Sequence, residues 1–302
     1  VYITAQETNS IFGAISSKNE GSSVSVDGKT NFVKSFAVIS NAGNLNNATD
    51  DKFKDNRVIS ALYAEGKDAQ ISLTGEQNYL STFADSSVHT DLERVVWAYD
   101  GADINIDGFT SITTDSYEKS LNSIDIAIAA GTAVNLTEDI VNEDVTDRAQ
   151  VQIDYANTTD SEGKAVLSSV TGDILSAYAG TVNIAPKSAS DGLVVTGNLL
   201  AGNNGELTVD IGANGVLTGR ADDYGDAGFI KDSEHTTFFD PAFSSEIFKG
   251  GQVNLKLGDN ARWNVTGQSW ITDISVADGA KNVLIDLVND NTNRNSTAHA
   301  LT

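Results

Sequence analysis

Ile59–Gly75 reads ISALYAEGKDAQISLTG, and the way it divides in two decides the fold. A short apolar run ends in a small residue and glycine. A stretch of alternating polar and apolar residues then follows. The phrase returns as VVWAYDGADINIDG at Val95–Gly108, IDIAIAAGTAVNLTE at Ile124–Glu138 and ILSAYAGTVNIAP at Ile174–Pro186. It recurs again as LLAGNNGELTVDIG at Leu199–Gly212 and ITDISVADGAKNVLIDL at Ile271–Leu287. Self-similarity at loose spacing marks a repeat architecture, in which each unit buries its apolar face only by stacking on its neighbours.

The second half of the phrase carries the clearest period. Its apolar positions are Val24/Val26, Ile71/Leu73, Ile104/Ile106, Val134/Leu136, Val151/Ile153, Val182/Ile184, Leu207/Val209/Ile211, Val253/Leu255/Leu257 and Ile285/Leu287. Between them stand Ser25, Ser72, Asn105, Asn135, Gln152, Asn183, Thr208, Asn254 and Asp286. Such alternation gives a strand one packed face and one wet face. Gly66, Gly101, Gly131, Gly180, Gly205, Gly251 and Gly279 precede these strands, where a tight corner calls for a positive φ.

Helical periodicity is confined to two candidates. One is Pro241–Phe248, with Asp240 as cap and Pro241 at the first helical position. The other is Asp85–Val96. An α/β fold with crossover helices is thereby excluded. Among all-β folds, tandem sandwiches need linkers and hairpin turns that this chain lacks, and a propeller needs a steadier period. The expected fold is a right-handed parallel β-helix, a single unit over residues 1–302. Its longer excursions are expected at Lys29–Asn56, Asn78–Arg94, Ser161–Val170 and Ala221–Lys249. The last is acidic at Asp222 and Asp223 and aromatic at Tyr224, Phe238, Phe239 and Phe243. As a lateral insertion on a repeat scaffold, it is the candidate binding surface.

Composition narrows the partners. The chain has 19 basic and 42 acidic residues, a formal net charge of −23. That field repels phosphate backbones and anionic lipid, which argues against nucleic acid and against membrane insertion. There is no cysteine, hence no disulfide, no thiolate metal ligand and no thiol nucleophile. No run of apolar residues is long enough for a membrane helix.

From Leu199 onward the chain resembles the C-terminal stretch of a type V autotransporter passenger. The residues that carry the resemblance are Gly251, Val253, Asn254, Leu255, Leu257, Ala261, Trp263, Val265, Thr266, Gly267 and Ser269. They fit the family's G-x-V-N-L-x-L-x-x-x-A-x-W-x-V-T-G-x-S line, and the likeness covers roughly the last hundred residues. The resemblance implies a secreted or surface-displayed protein of a Gram-negative bacterium, exported across the outer membrane, ordinarily an adhesin, aggregation factor or toxin. It implies partners such as a host surface glycan or protein, or like passengers in self-association. The translocator barrel that should follow is absent, and Ser296–Thr302 reads as the opening of a further coil, so the chain is expected to be a passenger fragment.

Chemistry is sparse. Ser, His and Asp show no triad pattern: His89, His235 and His299 lie far apart, and no G-D-S-G occurs. A polysaccharide-cleaving enzyme needs paired carboxylates, for which Asp103/Asp107 and Asp222/Asp223 are the available pairs. Asp50, Asp51 and Asp55 form an acidic loop without EF-hand spacing. No phosphate-binding glycine motif is present, and no cofactor or metal is expected. The readings left open are an adhesin or self-association scaffold, an enzyme on the same rod, and an inert stalk.

Overall fold

The computed structural model describes residues 1–37, 60–84, 94–116, 126–131, 148–177, 180–202, 204–223 and 250–287. These residues are all-β, without a helix, and nearly all strand pairing is parallel. The strands fall into three rows. The first comprises β1 (Tyr2–Phe12), β3 (Ser23–Ala37), β5 (Gln70–Ala84), β7 (Asp103–Ser116), β9 (Gln150–Tyr155), β14 (Thr181–Pro186), β17 (Glu206–Asp210), β20 (Gln252–Leu257) and β22 (Asp273–Val276). The second continues from the far half of β7 through β12 (Ser168–Thr171), β15 (Leu193–Thr196), β18 (Val216–Gly219), β21 (Arg262–Val265) and β23 (Leu284–Asp286). The third is a seven-stranded sheet of β2 (Ile15–Lys18), β4 (Leu62–Glu65), β6 (Arg94–Tyr99), β8 (Ile126–Ala130), β13 (Asp173–Ala177), β16 (Leu199–Gly202) and β19 (Ala221–Asp222). Among the described residues the one antiparallel pair of strands is the hairpin of β10 (Thr158–Thr159) and β11 (Ala165–Val166).

The chain visits the rows in a fixed order, as β14, β15, β16 and then β17, β18, β19 show. The repeated phrase is now legible as the corner from the third row into the first. Its continuous apolar half forms strands buried on both faces, such as β6 and β8. Inward residues of the third row join the main core, while Tyr63, Trp97, Ala129, Leu175 and Leu200 form a second apolar cluster outside it. The alternating half forms first-row strands with one buried face, as the pattern of β20 shows. Val26, Ile71, Leu73, Ile104, Val182, Leu207, Val253 and their neighbours fill the shared interior, each fully enclosed. At roughly 1.5–3 kcal/mol per buried aliphatic side chain, that column dominates the favourable side of folding. Trp263, fully buried in β21, belongs to it and donates its indole N–H to the Gly219 carbonyl at 3.0 Å.

Three expectations change. Lys29–Ala37 and Asn78–Ala84 are not excursions but the far halves of β3 and β5. Arg94–Val96, the end of the expected helix at Asp85–Val96, begins strand β6. Pro241–Phe248 lies outside the described residues. The corner glycines divide in two: Gly66, Gly101, Gly131 and Gly279 adopt positive φ, whereas Gly180, Gly205 and Gly251 do not. At Gly205 the left-handed residue is its neighbour Asn204 (φ 62°), and glycine is needed because a Cβ would overlap the Ser176 carbonyl.

The long strands β3, β5 and β7 bend at Gly28, Gly75 and Gly108 as they pass from the first row to the second. Inside the bend runs a buried column of asparagines. The Nδ2 of Asn9 donates to Asn31 Oδ1 at 2.8 Å, and the Nδ2 of Asn31 donates to Asn78 Oδ1 at 2.9 Å. The same amides satisfy the carbonyls that the bend takes out of the ladder: Asp27 from Asn9, Thr74 from Asn31 and Asp107 from Asn78, at 2.9–3.0 Å. Asn31 and Asn78 are fully buried. Glycine is obligatory here because a Cβ on Gly28 or Gly75 would run into the asparagine amides. Thr110 ends the column in register with Asn78, turning its hydroxyl to the Gly108 carbonyl at 2.9 Å.

Candidate functional site

The first row places its outward residues in register. Ser25, Ser72, Asn105, Gln152, Asn183, Thr208, Asn254 and Asp273 stand opposite one another across eight successive strands. Seven of the nine residues read from the sequence as outward polar positions thus lie in one line. Asp286 belongs instead to the second row, opposite Asn264, and Asn135 lies outside the described residues. Within the line Asn183 donates to Gln152 Oε1 at 2.8 Å, and Gln152 donates on to Asp154 at 2.7 Å. One flanking line carries Asp103 and Glu206, the other Asp107, Asp154 and Asp210. Lys256 bridges Asp210 at 2.9 Å and Arg148 bridges Glu206 at 3.0 Å. The face is a field of amides and hydroxyls with acidic borders. Such a surface offers many weak, directional contacts rather than one deep site.

Asp103 sits half-buried on this face, and its carboxyl is raised above its ordinary value, first by desolvation and then by the nearby Asp68 charge. Asp107, on the same strand, is held in an ion pair by Lys187. The two carboxylates of the sequence pair therefore differ: one is disfavoured as an anion, the other is paired with a cation.

Beside this face, where β3, β5 and β7 bend, lies a groove of about 860 Å³. Gly28, Gly75 and Gly108 form part of its lining, and the β10–β11 hairpin supplies Thr158, Thr159 and Ala165. Gln77 ties the hairpin down, donating to the Thr158 hydroxyl at 2.9 Å while accepting from the Tyr79 hydroxyl at 3.3 Å. Tyr79 stacks on Phe32 with ring centroids 4.8 Å apart and planes 11° from parallel. It also meets Phe109, a groove-lining residue, at 5.7 Å. An aromatic row thus runs away from the groove along the second face.

Of the residues singled out in the expected insertion, Asp222 is fully buried in β19, opposite Leu200 of β16. Asp223 is half-buried, its carbonyl accepting from Gly251 N at 2.8 Å and its carboxylate from Thr272 Oγ1 at 3.3 Å. Both carboxylates are integrated into the scaffold, and Asp222 presents no surface to a ligand. Tyr224, Phe238, Phe239 and Phe243 lie outside the described residues, as do the three histidines and Asp50, Asp51 and Asp55. Among the described residues no cluster of three or more histidine and carboxylate side chains could hold a metal ion.

Sequence reasoning missed three features. The asparagine column had a signal in the recurring Gly28-x-x-Asn31 and Gly75-x-x-Asn78 spacing. The aromatic row had none, because Phe32, Tyr79 and Phe109 become neighbours only through pairing register. The third is Arg94, 1% exposed, whose Nε and Nη1 have no hydrogen-bond partner. Its guanidinium lies over the Trp97 ring at 4.4 Å, and desolvation lowers its pKa to about 10 against a small opposing pull from Tyr63. Comparison with known proteins finds no matching family model, no similar curated protein and no similar solved structure.

Proposed function

We propose that the chain is the right-handed β-helical part of an autotransporter passenger, displayed outside a Gram-negative cell, where it acts as an adhesin or self-association scaffold. Successive turns add to each row in the same order, and the passenger line ending in Trp263-Asn264-Val265-Thr266-Gly267 falls on β20 and β21 near the C-terminal end of the described rows. The observation that carries the reading is the polar line from Ser25 to Asp273, held in register over eight strands with acidic lines beside it. An array in fixed register suits contact with a like array or a broad surface, since many weak hydrogen bonds sum only when their spacing is fixed. The absence of cysteine agrees with passage across a membrane in an unfolded state.

The test is cell aggregation and surface adhesion by bacteria displaying the protein. Asn105→Lys, Asn183→Lys and Asn254→Lys together replace three central positions with long cations while leaving the packed face untouched. Loss of aggregation or adhesion with unchanged circular dichroism is the expected result. Unchanged aggregation and adhesion in the folded triple variant would refute the role of this face.

A further inference from the structure

We propose that the groove at the glycine bend binds a neutral oligosaccharide, with the aromatic row as its stacking platform. This deepens the binding-scaffold reading and rests on it, but it assigns the ligand to a different surface from the polar line. The site is an open groove of about 860 Å³, long enough in its lining to receive an extended chain rather than to enclose a small molecule. Its lining interleaves acceptors and donors: Asp27, Glu76 and Asp107 against Lys29, Lys187 and Asn157. Sugar hydroxyls, each both donor and acceptor, match such a mixture.

Charge and topology decide against the other ligand classes. Lys187 is engaged by Asp107, and Lys29 lies 4.0 Å from Glu7, so both groove lysines already face carboxylates. An acidic glycan or phosphate would bring its charge to three carboxylates on a chain of net charge −23. An extended peptide binds a sheet by adding a strand to an open edge. Here β3 pairs with β1 and β5, and β5 with β3 and β7, so the floor between them has no free edge. At the end strand β1 the ladder is interrupted between Ala5 and Thr8, beside the groove residues Ala5 and Gln6, and such an irregularity blunts an edge. What remains for recognition is side-chain hydrogen bonding and an aromatic surface.

That surface is prepared. Phe32 is 44% exposed yet held flat against Tyr79, and the Tyr79 hydroxyl is tied through Gln77 to Thr158 on the groove wall. A ring fixed by stacking and by a hydrogen bond loses little freedom on binding the apolar face of a hexose. Phe109, buried at the groove wall, backs Tyr79, so the ligand-facing part of the row is Tyr79 and the exposed Phe32. A chain of sugar units leaving the groove would pass the edge and hydroxyl of Tyr79 and reach the exposed ring of Phe32.

The experiment is a glycan-array screen of the whole chain, followed by calorimetric titration with the best neutral hexasaccharide. Oligogalacturonate and heparin hexasaccharide serve as acidic comparators. Phe32→Ala removes the exposed platform and Asp107→Ala removes a groove acceptor. Both are checked for folding by circular dichroism and by hydrogen exchange of the asparagine column. Selective binding of a neutral oligosaccharide, weakened about tenfold or more by each variant, is the expected result. No neutral binder at millimolar concentration, preference for the acidic comparators, or unchanged affinity in the two folded variants would overturn the assignment. The Asn→Lys triple variant keeps the groove intact. If it loses aggregation and adhesion yet binds the sugar, both surfaces stand; if bacteria displaying the parent chain neither aggregate nor adhere while the chain still binds the sugar, only the scaffold reading falls.

Discussion

Replacing Asn31 by alanine should be among the most destabilising single changes in the first row. The Asn31 side chain sits between Asn9 and Asn78 with no exposed surface. Its removal leaves the Thr74 carbonyl and Asn78 Oδ1 without the donors that reach them at 2.9 Å, and Asn9 Nδ2 without its acceptor at 2.8 Å. Asn9 is near the end of the column and still donates to Asp27, so most of the loss falls on the two enclosed acceptors. At about 1–3 kcal/mol for each buried group left unsatisfied, plus a small cavity, the cost is about 3–5 kcal/mol. Asn9→Ala should cost less, about 1–2 kcal/mol, since Asn9 stands at the end of the column, is 7% exposed, and has its Nδ2 shared between Asn31 Oδ1 and the Asp27 carbonyl. Asn31→Asp should be worse than alanine at neutral pH, because an ionised carboxylate would face two acceptors with no donor of its own. Urea unfolding followed by circular dichroism measures the ranking. Hydrogen exchange of β1, β3 and β5 shows whether the loss is confined to that end, as expected where units hold only their neighbours. An Asn31→Ala protein within about 0.5 kcal/mol of the parent, or no worse than Asn9→Ala, would refute the column's role.

Two further perturbations probe buried charge. Arg94→Met removes a guanidinium that burial disfavours, and keeps a long apolar chain beside Trp97. The depressed pKa corresponds to about 3 kcal/mol of desolvation, against which the lost contact with the ring weighs about 1–2, so a gain of about 1–2 kcal/mol in urea is expected. A loss of stability would show that the cation is held by more than Trp97. Asp103→Asn tests the sign of a raised carboxyl pKa. The folded state binds this proton more tightly than the unfolded chain, so the native acid is best tolerated below its unfolded pKa, and that advantage is lost as pH rises through the folded value. The variant should therefore be slightly more stable than the parent near neutrality, with the gain vanishing as pH falls below the carboxylate range. A gain independent of pH would refute the assignment.

Much of this architecture was written in local pattern. The strand at Gln252–Leu257 alternates because one face packs and one meets solvent, and that period is visible without coordinates. Asn31 was harder to place. Lys29-Thr30-Asn31-Phe32-Val33 looks polar and loop-like, because nothing local reveals that the amide will be enclosed by Asn9 and Asn78. Asp222 misled for the opposite reason. An acidic residue beside a polar stretch reads as exposed, yet β19 carries it into the seven-stranded sheet. Burial of a polar group is decided by partners distant in sequence, so its own neighbours carry little trace of it.

The sequence alone determined the strand-rich class, the corner between an apolar run and an alternating one, and the acidic character that repels phosphate polymers. These are local or additive properties: residue period and summed charge need no third dimension. Only the tertiary structure decided which strands share a row, that Phe32, Tyr79 and Phe109 form one aromatic line, and that a groove opens at Gly28, Gly75 and Gly108. Those depend on register between segments far apart in the chain. A shift of one residue would turn each side chain to the opposite face while leaving the sequence pattern of every strand unchanged.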